Sequence, residues 1–406
     1  MTESIKLFSV TILIVFLLRM RCDLGLTMFL ASLSLSILFK IGFKSLFYNA
    51  YLTIIDPITL LLVGAVVFVY ILSGILKRTK NMEGIVGSLQ YLIADHRLIL
   101  FLIASFLGLI PMVSGAMFSA PLVKEIGEKS RVKSEDMMLS NYWFRHVWEF
   151  IWPLIPGVAL YASMLGISLS EMMVRQFPLT IIALGIGFFW MFLSIEKRNN
   201  HNKNLNDYKS HLLTFLQGVW PILLVLSLVL FLRVHLLTAL SVSAILLIIV
   251  HKLSLKTLLE IIKYDIPLKV VTMIFGIMLF KQILNATNSL GSVSQFLSDM
   301  GINIWAILFV IPFLLGLLTG ITAGFVGVSF PIVLPLITKN GSPNISMAMF
   351  AYLAGLSGMM LSPMHLCLAL TAEYFKVDLS KLYKKLFLNV FALIIFGSIY
   401  IILFVR

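Results

Sequence analysis

Two stretches of this chain are too polar and too broken to be ordinary membrane helices, yet each lies in apolar surroundings. Leu107 to Val123 reads LGLIPMVSGAMFSAPLV, and Leu315 to Leu336 reads LGLLTGITAGFVGVSFPIVLPL. Both place Gly, Ser or Thr, and Pro at the expected depth of hydrocarbon. Irregular backbone finds no water there, so it persists only where protein or a wet cavity covers it. Paired Gly/Pro interruptions at corresponding places in two halves of a chain point to the binding site of a secondary transporter.

The surroundings support a membrane reading. Of 406 residues, 60% are hydrophobic and only 12% charged, and apolar runs near spanning length recur from end to end. The expected class is therefore an all-α polytopic membrane protein in the bilayer. No polar stretch is long enough for a separate soluble domain. The net charge of +13 does not indicate nucleic acid, because no basic helix carries interleaved aromatics. Lys and Arg instead fill short loops, where they set orientation. Cys22 and Cys367 are far apart and offer neither metal spacing nor a convincing disulfide. Ile5–Leu18 lacks a basic n-region and a small-residue cleavage site, so it reads as a span.

The expected spans are Ile5–Leu18, Leu24–Phe39, Pro57–Leu76, the interrupted Leu98–Val123, Asn141–Leu165, Pro178–Ile195, Leu212–Leu232, Leu236–Val250, Pro267–Leu284, the interrupted Ile304–Ile337, Ile345–Thr371 and Leu386–Val405. Pro57 and Pro267, the two interrupted runs, and the spans at Pro178 and Leu386 are all displaced by about 210 residues. A near-constant shift of about half the length marks a duplicated fold. This gives a first repeat over residues 1–195, a linker over 196–211 and a second repeat over 212–406. If each interrupted run is a re-entrant hairpin, entering and leaving on one side, the basic clusters at Lys77–Lys80, Lys124–Lys133, Glu196–Lys209, Lys252–Lys263 and Lys376–Lys385 all become cytoplasmic. The two repeats are then inverted. About ten spanning helices, two hairpins (98–123 and 304–337) and two broken helices (141–165 and 345–371) follow. Ile85–Ala94 and Leu253–Ile262 read as short interfacial helices.

The densest polar cluster in apolar surroundings is Asn141 to Glu149, NYWFRHVWE, read as opening a helix that runs through Pro153 and Pro156. On such a helix Arg145 and Glu149 are i,i+4 neighbours, so the two are expected to pair when the site is empty. Trp143, Trp148 and Trp152 also fit a membrane-interface belt. The functional reading takes Asn141, Arg145 and His146 as substrate ligands, since intramembrane charge is costly and marks pathways and Arg forks onto oxyanions. Glu149 is the candidate ion- or proton-coupling group. In the second half Ser362-Pro363 should break a helix near mid-membrane, with His365 just beyond. Ser362 and His365 join the substrate set. Ser114, Gly115 and Ser119 in the first hairpin, and Thr319, Thr322, Gly324 and Ser329 in the second, supply hydroxyls and close backbone approach for a coupling ion. Tight packing of small residues is the plainer explanation for these.

Pro111–Val123, Asn141–Pro153 and SPMHLCLALTAEYF from Ser362 to Phe375 resemble an uncharacterised prokaryotic integral membrane family, domain of unknown function 401. That family is placed in the ion transporter superfamily with gluconate permeases, citrate and arsenite carriers and divalent-anion/sodium symporters. The resemblance implies an inverted-repeat fold with two re-entrant hairpins and two broken helices around a central site, and commonly a homodimer. Related carriers often have Ser-Asn-Thr hairpin tips for sodium and carboxylate; here Ser-Gly and Thr-Gly stand instead.

The expected function is an ion-coupled permease for a small anion in the cytoplasmic membrane, with Na+ or H+ as coupling ion and no cofactor, resident metal or nucleic-acid partner. An intramembrane metal-dependent hydrolase built on His146, Glu149 and His365 is the alternative from another class, but HExxH is absent. A cation/proton antiporter or a channel is a further alternative.

Overall fold

The computed structural model describes residues 3–79, 81–110, 115–197, 205–287 and 303–405. In chain order the helices of the first half are α1 (Glu3–Arg19), α2 (Leu24–Leu38), α3 (Phe43–Ile55), α4 (Pro57–Arg78), α5 (Asn81–Leu92), α6 (His96–Gly108), α7 (Gly115–Lys129), α8 (Ser134–His146), α9 (Pro156–Leu165) and α10 (Leu169–Ser194). A short 3-10 turn, Val147–Phe150, follows α8. The second half contains α11 (Leu205–Leu230), α12 (Leu236–Val250), α13 (Leu255–Tyr264), α14 (Leu268–Ala286), α15 (Ile304–Thr319), α16 (Thr322–Ile337), α17 (Ile345–Met360), α18 (Leu366–Phe375) and α19 (Leu379–Phe404). A two-residue antiparallel pair, Thr338–Lys339 with Ser342–Pro343, turns between α16 and α17.

Among the described residues five helices are long and apolar enough to cross a membrane: α4, α10, α11, α14 and α19. Shorter apolar helices, α2, α6, α9, α12 and α15–α18, accompany them. Large side chains such as Phe8, Phe43, Phe231 and Phe404 are exposed around the outside, a surface that lipid would cover. The chain is an all-α, multi-pass membrane protein. Helix starts are marked by side-chain caps: Asp56 accepts from Thr59 N just ahead of Pro57, and Asp23, Asp95, Asn303 and Asn344 cap α2, α6, α15 and α17.

The element series recurs. Helices α2 and α12 start at Leu24 and Leu236 and both have 15 residues. Helices α9 and α18 start at Pro156 and Leu366 and both have 10. Helices α10 and α19 start at Leu169 and Leu379 and both have 26. Left-handed residues recur as well: Arg21 and Arg233 follow α1 and α11, Lys40 and Lys252 follow α2 and α12, and Gly166 and Lys376 follow α9 and α18. A left-handed residue closes the last helical carbonyls, and a cation there meets the negative end of the helix dipole.

Packing interleaves the two halves. Helix α2 lies on α14, α4 on α12 and α5 on α11. More telling for the site, α7 packs on α18, and α16 packs on α9. The second arm of each hairpin thus rests on the distal segment of the other half's broken helix. At 1.5 Å per residue the 13-residue α6 and 16-residue α15 reach about 20 Å and 24 Å, short of the roughly 30 Å hydrocarbon core.

Three sequence expectations need correction. Asn141–Glu149 does not open a helix; it closes one. Helix α8 ends at His146, and Glu149 sits in the 3-10 turn before Pro153 and Pro156 allow α9 to start. The two prolines forbid continuation, and the break falls a turn earlier than their positions suggest. The linker expected over 196–211 is helical from Leu205, and His211 stacks on Tyr91 of α5 with ring centroids 4.0 Å apart. Helix α3 was not expected at all. At 13 residues it is too short for a spanning pattern, and it is inside out: Phe43, Phe47, Tyr51 and Ile54 are exposed, while Asn49 and Thr53 are buried.

Candidate functional site

The two helix breaks meet at the centre of the interleaved halves. The first supplies Arg145, His146 and Glu149; the second supplies Ser362, His365 and Cys367. Arg145 is 7% exposed, His146 3%, Glu149 9% and His365 6%. His146 Nδ1 lies 2.6 Å from the carbonyl oxygen of Tyr142, one turn back in α8. His365 Nδ1 hydrogen-bonds the carbonyl oxygen of Gly320, at the turn between α15 and α16. The two rings then meet tip to tip, Nε2 to Nε2 at 2.8 Å. The Cys367 thiol lies within reach of both imidazoles and of the Arg145 guanidinium.

Glu149 is held from the second half. Its carboxylate accepts a hydrogen bond from Thr322 Oγ1 at the start of α16, and its carbonyl accepts one from Tyr352 OH of α17 at 2.5 Å. Glu149 Oε1 is 3.8 Å from His146 Nε2. Gly157 makes the Thr322 contact possible: a Cβ there would lie 2.6 Å from Ala323 N and 2.7 Å from the Thr322 carbonyl carbon. Gly320, left-handed at φ 64°, turns the second hairpin directly over His365, whose backbone nitrogen would lie 2.8 Å from an added Cβ.

Arg145 does not pair with Glu149 as expected. Its Nη1 donates to the Gly115 carbonyl at 3.2 Å, its Nε has no hydrogen-bond partner, and among the described residues it makes no ion pair. The altered backbone explains this: the 3-10 turn breaks the i,i+4 geometry that would stack Glu149 over Arg145. Gly115 admits the guanidinium, since a Cβ there would lie 2.5 Å from Arg145 Nη2. Asn141 reaches from α8 to Ala116 O and Thr371 Oγ1, both at 3.4 Å, and its Oδ1 is buried without a partner. Two orphan polar atoms, one donor and one acceptor, therefore lie on the same helix in the buried centre. Buried polar groups are ordinarily satisfied, so these two invite a ligand.

The residues 2–404 match the family described as "Protein of unknown function (DUF401)". The chain belongs to the DUF401 family. Comparison with curated proteins gives no match. Among solved structures, that of the Alcanivorax borkumensis YdaH transporter, described as having an unusual topology, superposes with a TM-score of 0.61 at 10% identity over 89% of each chain. This DUF401 chain and that transporter share a fold.

In this DUF401 protein the other sequence candidates are unevenly placed. Thr322, Ser362 and His365 converge as described, Ser362 Oγ donating to Leu317 O at 2.6 Å and so tying the second break to the second hairpin. Ser119 and Ser329 are fully buried, but their hydroxyls donate back to Ala116 O at 3.2 Å and Phe325 O at 2.6 Å on their own helices. Thr319 likewise donates to Leu315 O at 2.7 Å. Gly324 packs against Thr319 and Ile321 of its own hairpin. Ser114 lies outside the described residues. Of the three tryptophans considered for an interface belt, Trp143 and Trp152 are buried, with Nε1 donating to Ala183 O at 2.9 Å and Leu109 O at 2.5 Å. A large groove of about 1110 Å³ lies elsewhere, between α4 and α9–α12, and none of the candidate residues lines it.

Sequence reasoning missed Cys367, Tyr142, Tyr352 and Thr371. Tyr142 donates to Met360 O at 2.8 Å, closing the first break onto the end of α17. The available signal was spacing. Cys367 follows His365 by two residues and Thr371 follows Cys367 by one helical turn, where its hydroxyl bonds the Cys367 carbonyl at 2.6 Å.

Proposed function

We infer that this protein is a secondary transporter that carries a small anion, an organic carboxylate by preference, across the cytoplasmic membrane by ion-coupled alternating access. Arg145 carries the reading. It is a buried cation on the seam between the two halves, with an unpaired Nε and no carboxylate of its own, and an oxyanion is the ligand that would neutralise it. The Asn141 Oδ1 beside it would accept from a substrate hydroxyl or carboxylic acid.

The architecture supports movement. Arms α6 and α15 are too short to cross, so each hairpin re-enters and ends near the midplane, and the two sets of helices form inverted repeats over 1–195 and 212–406. Each hairpin touches its own half's helix break and the other half's distal segment. Displacing one set relative to the other would open the centre to one side and close it to the other. Uptake draws on a sodium or proton gradient.

The test is ligand-dependent thermal stabilisation of the purified protein against organic and inorganic anions, with and without sodium and at two pH values, followed by uptake into liposomes. A ligand that binds the folded state raises its melting temperature. One anion should stabilise wild type and not Arg145→Ala, with Arg145→Lys weakened because a point charge cannot replace the fork. Equal stabilisation and uptake in Arg145→Ala would remove Arg145 from the site and the anion with it.

A further inference from the structure

We propose that His146, His365 and Cys367 form a transition-metal site that clamps the two helix breaks together, taking a divalent ion of the zinc class. The hydrogen-bond geometry leads there. A backbone carbonyl can only accept, so the Tyr142 and Gly320 carbonyls each fix the proton of their imidazole on Nδ1. In the neutral rings both Nε2 atoms then carry lone pairs, and these lone pairs face each other at 2.8 Å in a buried setting. Two lone pairs at that separation repel unless a cation lies between or beside them.

The third donor selects the cation. One ring nitrogen of each histidine and Sγ of Cys367 all lie within 4.8 Å of one another, and the two Nε2 atoms are 2.8 Å apart. Two imidazoles and a thiolate form a borderline-soft set suited to zinc and its first-row neighbours. The outer partners fit as well, because a metal-bound histidine ordinarily anchors its other nitrogen on a carbonyl or carboxylate. Tetrahedral coordination at about 2.0 Å needs the two Nε2 atoms roughly 3.3 Å apart, a small rotation of each ring about the bond that holds its Nδ1. On binding, the thiol proton leaves to solvent, the imidazoles coordinate in their neutral form, and no redox change occurs. Three protein ligands leave one coordination position for water or another donor.

The consequence is mechanical. His146 ends α8 in the first half, and His365 and Cys367 flank the start of α18 in the second. An ion held by all three ties the halves at their centre. The inference does not depend on the transport reading.

The test uses the full-length protein in detergent, treated with chelator, dialysed and then titrated with Co2+ at fixed pH. The expected result is one equivalent bound, with visible ligand-field bands and a near-ultraviolet thiolate-to-cobalt band, all displaced by Zn2+. Cys367→Ser should abolish the thiolate band, and Cys22→Ser should leave it intact. His146→Ala and His365→Ala should each weaken binding by more than the roughly 10–100-fold that an outer-shell partner is worth. A monodisperse wild-type protein that shows no thiolate band at saturating Co2+ overturns the proposal, and the histidine pair then holds a shared proton. A band that survives Cys367→Ser also overturns it. Because the wild-type titration is decisive alone, a variant that fails to fold does not rescue the idea.

Discussion

Gly157 offers a sharp test of how the halves meet. In Gly157→Ala the new methyl would lie 2.6 Å from Ala323 N and 2.7 Å from the Thr322 carbonyl carbon and Cβ. Ordinary contact is about 3.5 Å or more, so α9 and the start of α16 must separate by roughly 1 Å. The obstructing atoms are mostly backbone, which cannot rotate aside. Overpacking of this kind costs about 1–3 kcal/mol, against a gain of roughly 0.5–1 kcal/mol from replacing a helical glycine. Gly185, in α10, provides the control because a Cβ there meets nothing within 4 Å. Gly185→Ala should therefore raise stability and Gly157→Ala should lower it, a gap of about 2 kcal/mol between identical substitutions. Thermal unfolding of both variants at one scan rate in the same detergent measures the order. Liposome uptake should fall further in Gly157→Ala than its stability loss accounts for, since Thr322 moves off Glu149. A melting temperature for Gly157→Ala at or above that of Gly185→Ala would refute the backbone contact.

Three further outcomes follow from the geometry. Thr322→Val removes the hydroxyl that bonds the buried Glu149 carboxylate and should cost about 1–3 kcal/mol in thermal or denaturant unfolding, whereas Thr322→Ser should retain most of that stability. Lys385 of α19 pairs with Asp136 of α8, whose side chain is only 6% exposed; Lys385→Met should destabilise more than the Lys385→Met/Asp136→Asn double variant, and a double-mutant cycle reads the difference. The Arg97 guanidinium, hydrogen-bonded to Asp95 at 2.8 Å, holds the Asp95 carboxyl below the usual carboxylate range. That stabilisation is present above the ordinary carboxylate pKa of about 4 and is lost as pH falls through the lowered value, so Asp95→Asn should flatten the acid limb of the stability profile.

The periodic part of this molecule was legible in the sequence. Leu236–Val250 is an observed helix with the same bounds, α6 ends at Gly108 ahead of α7, and Gly320–Ile321 separates α15 from α16. Long apolar runs and their breakers act locally, and local signals survive without a structure. Helix α3 was hidden because its apolar residues face outward and its polar ones inward, which reverses the pattern of a soluble helix. The candidate cluster was half legible. Arg145, His146, Glu149 and His365 stood out because charge and imidazole are rare in apolar surroundings. Their partners did not. The 2.8 Å meeting of His146 with His365 joins residues 219 apart in sequence, and nothing local encodes that approach. Helical spacing also misled the pairing of Arg145 with Glu149, because the helix ends between them.

The contacts that hold Glu149 also set an order in time. Thr322 lies 173 residues after it and Tyr352 lies 203 after it. At a synthesis rate of about 5–20 residues per second, Thr322 emerges roughly 10–35 s after Glu149. Through that interval the nascent first half holds Arg145, His146 and Glu149 without the groups that later cover them. It is therefore an unfinished object while it is being made, and insertion machinery or lipid headgroups must shelter its charges until the second half arrives. Chains cut at the polar segment after residue 197 should consequently mature only when both pieces are made together, each serving as the other's assembly factor.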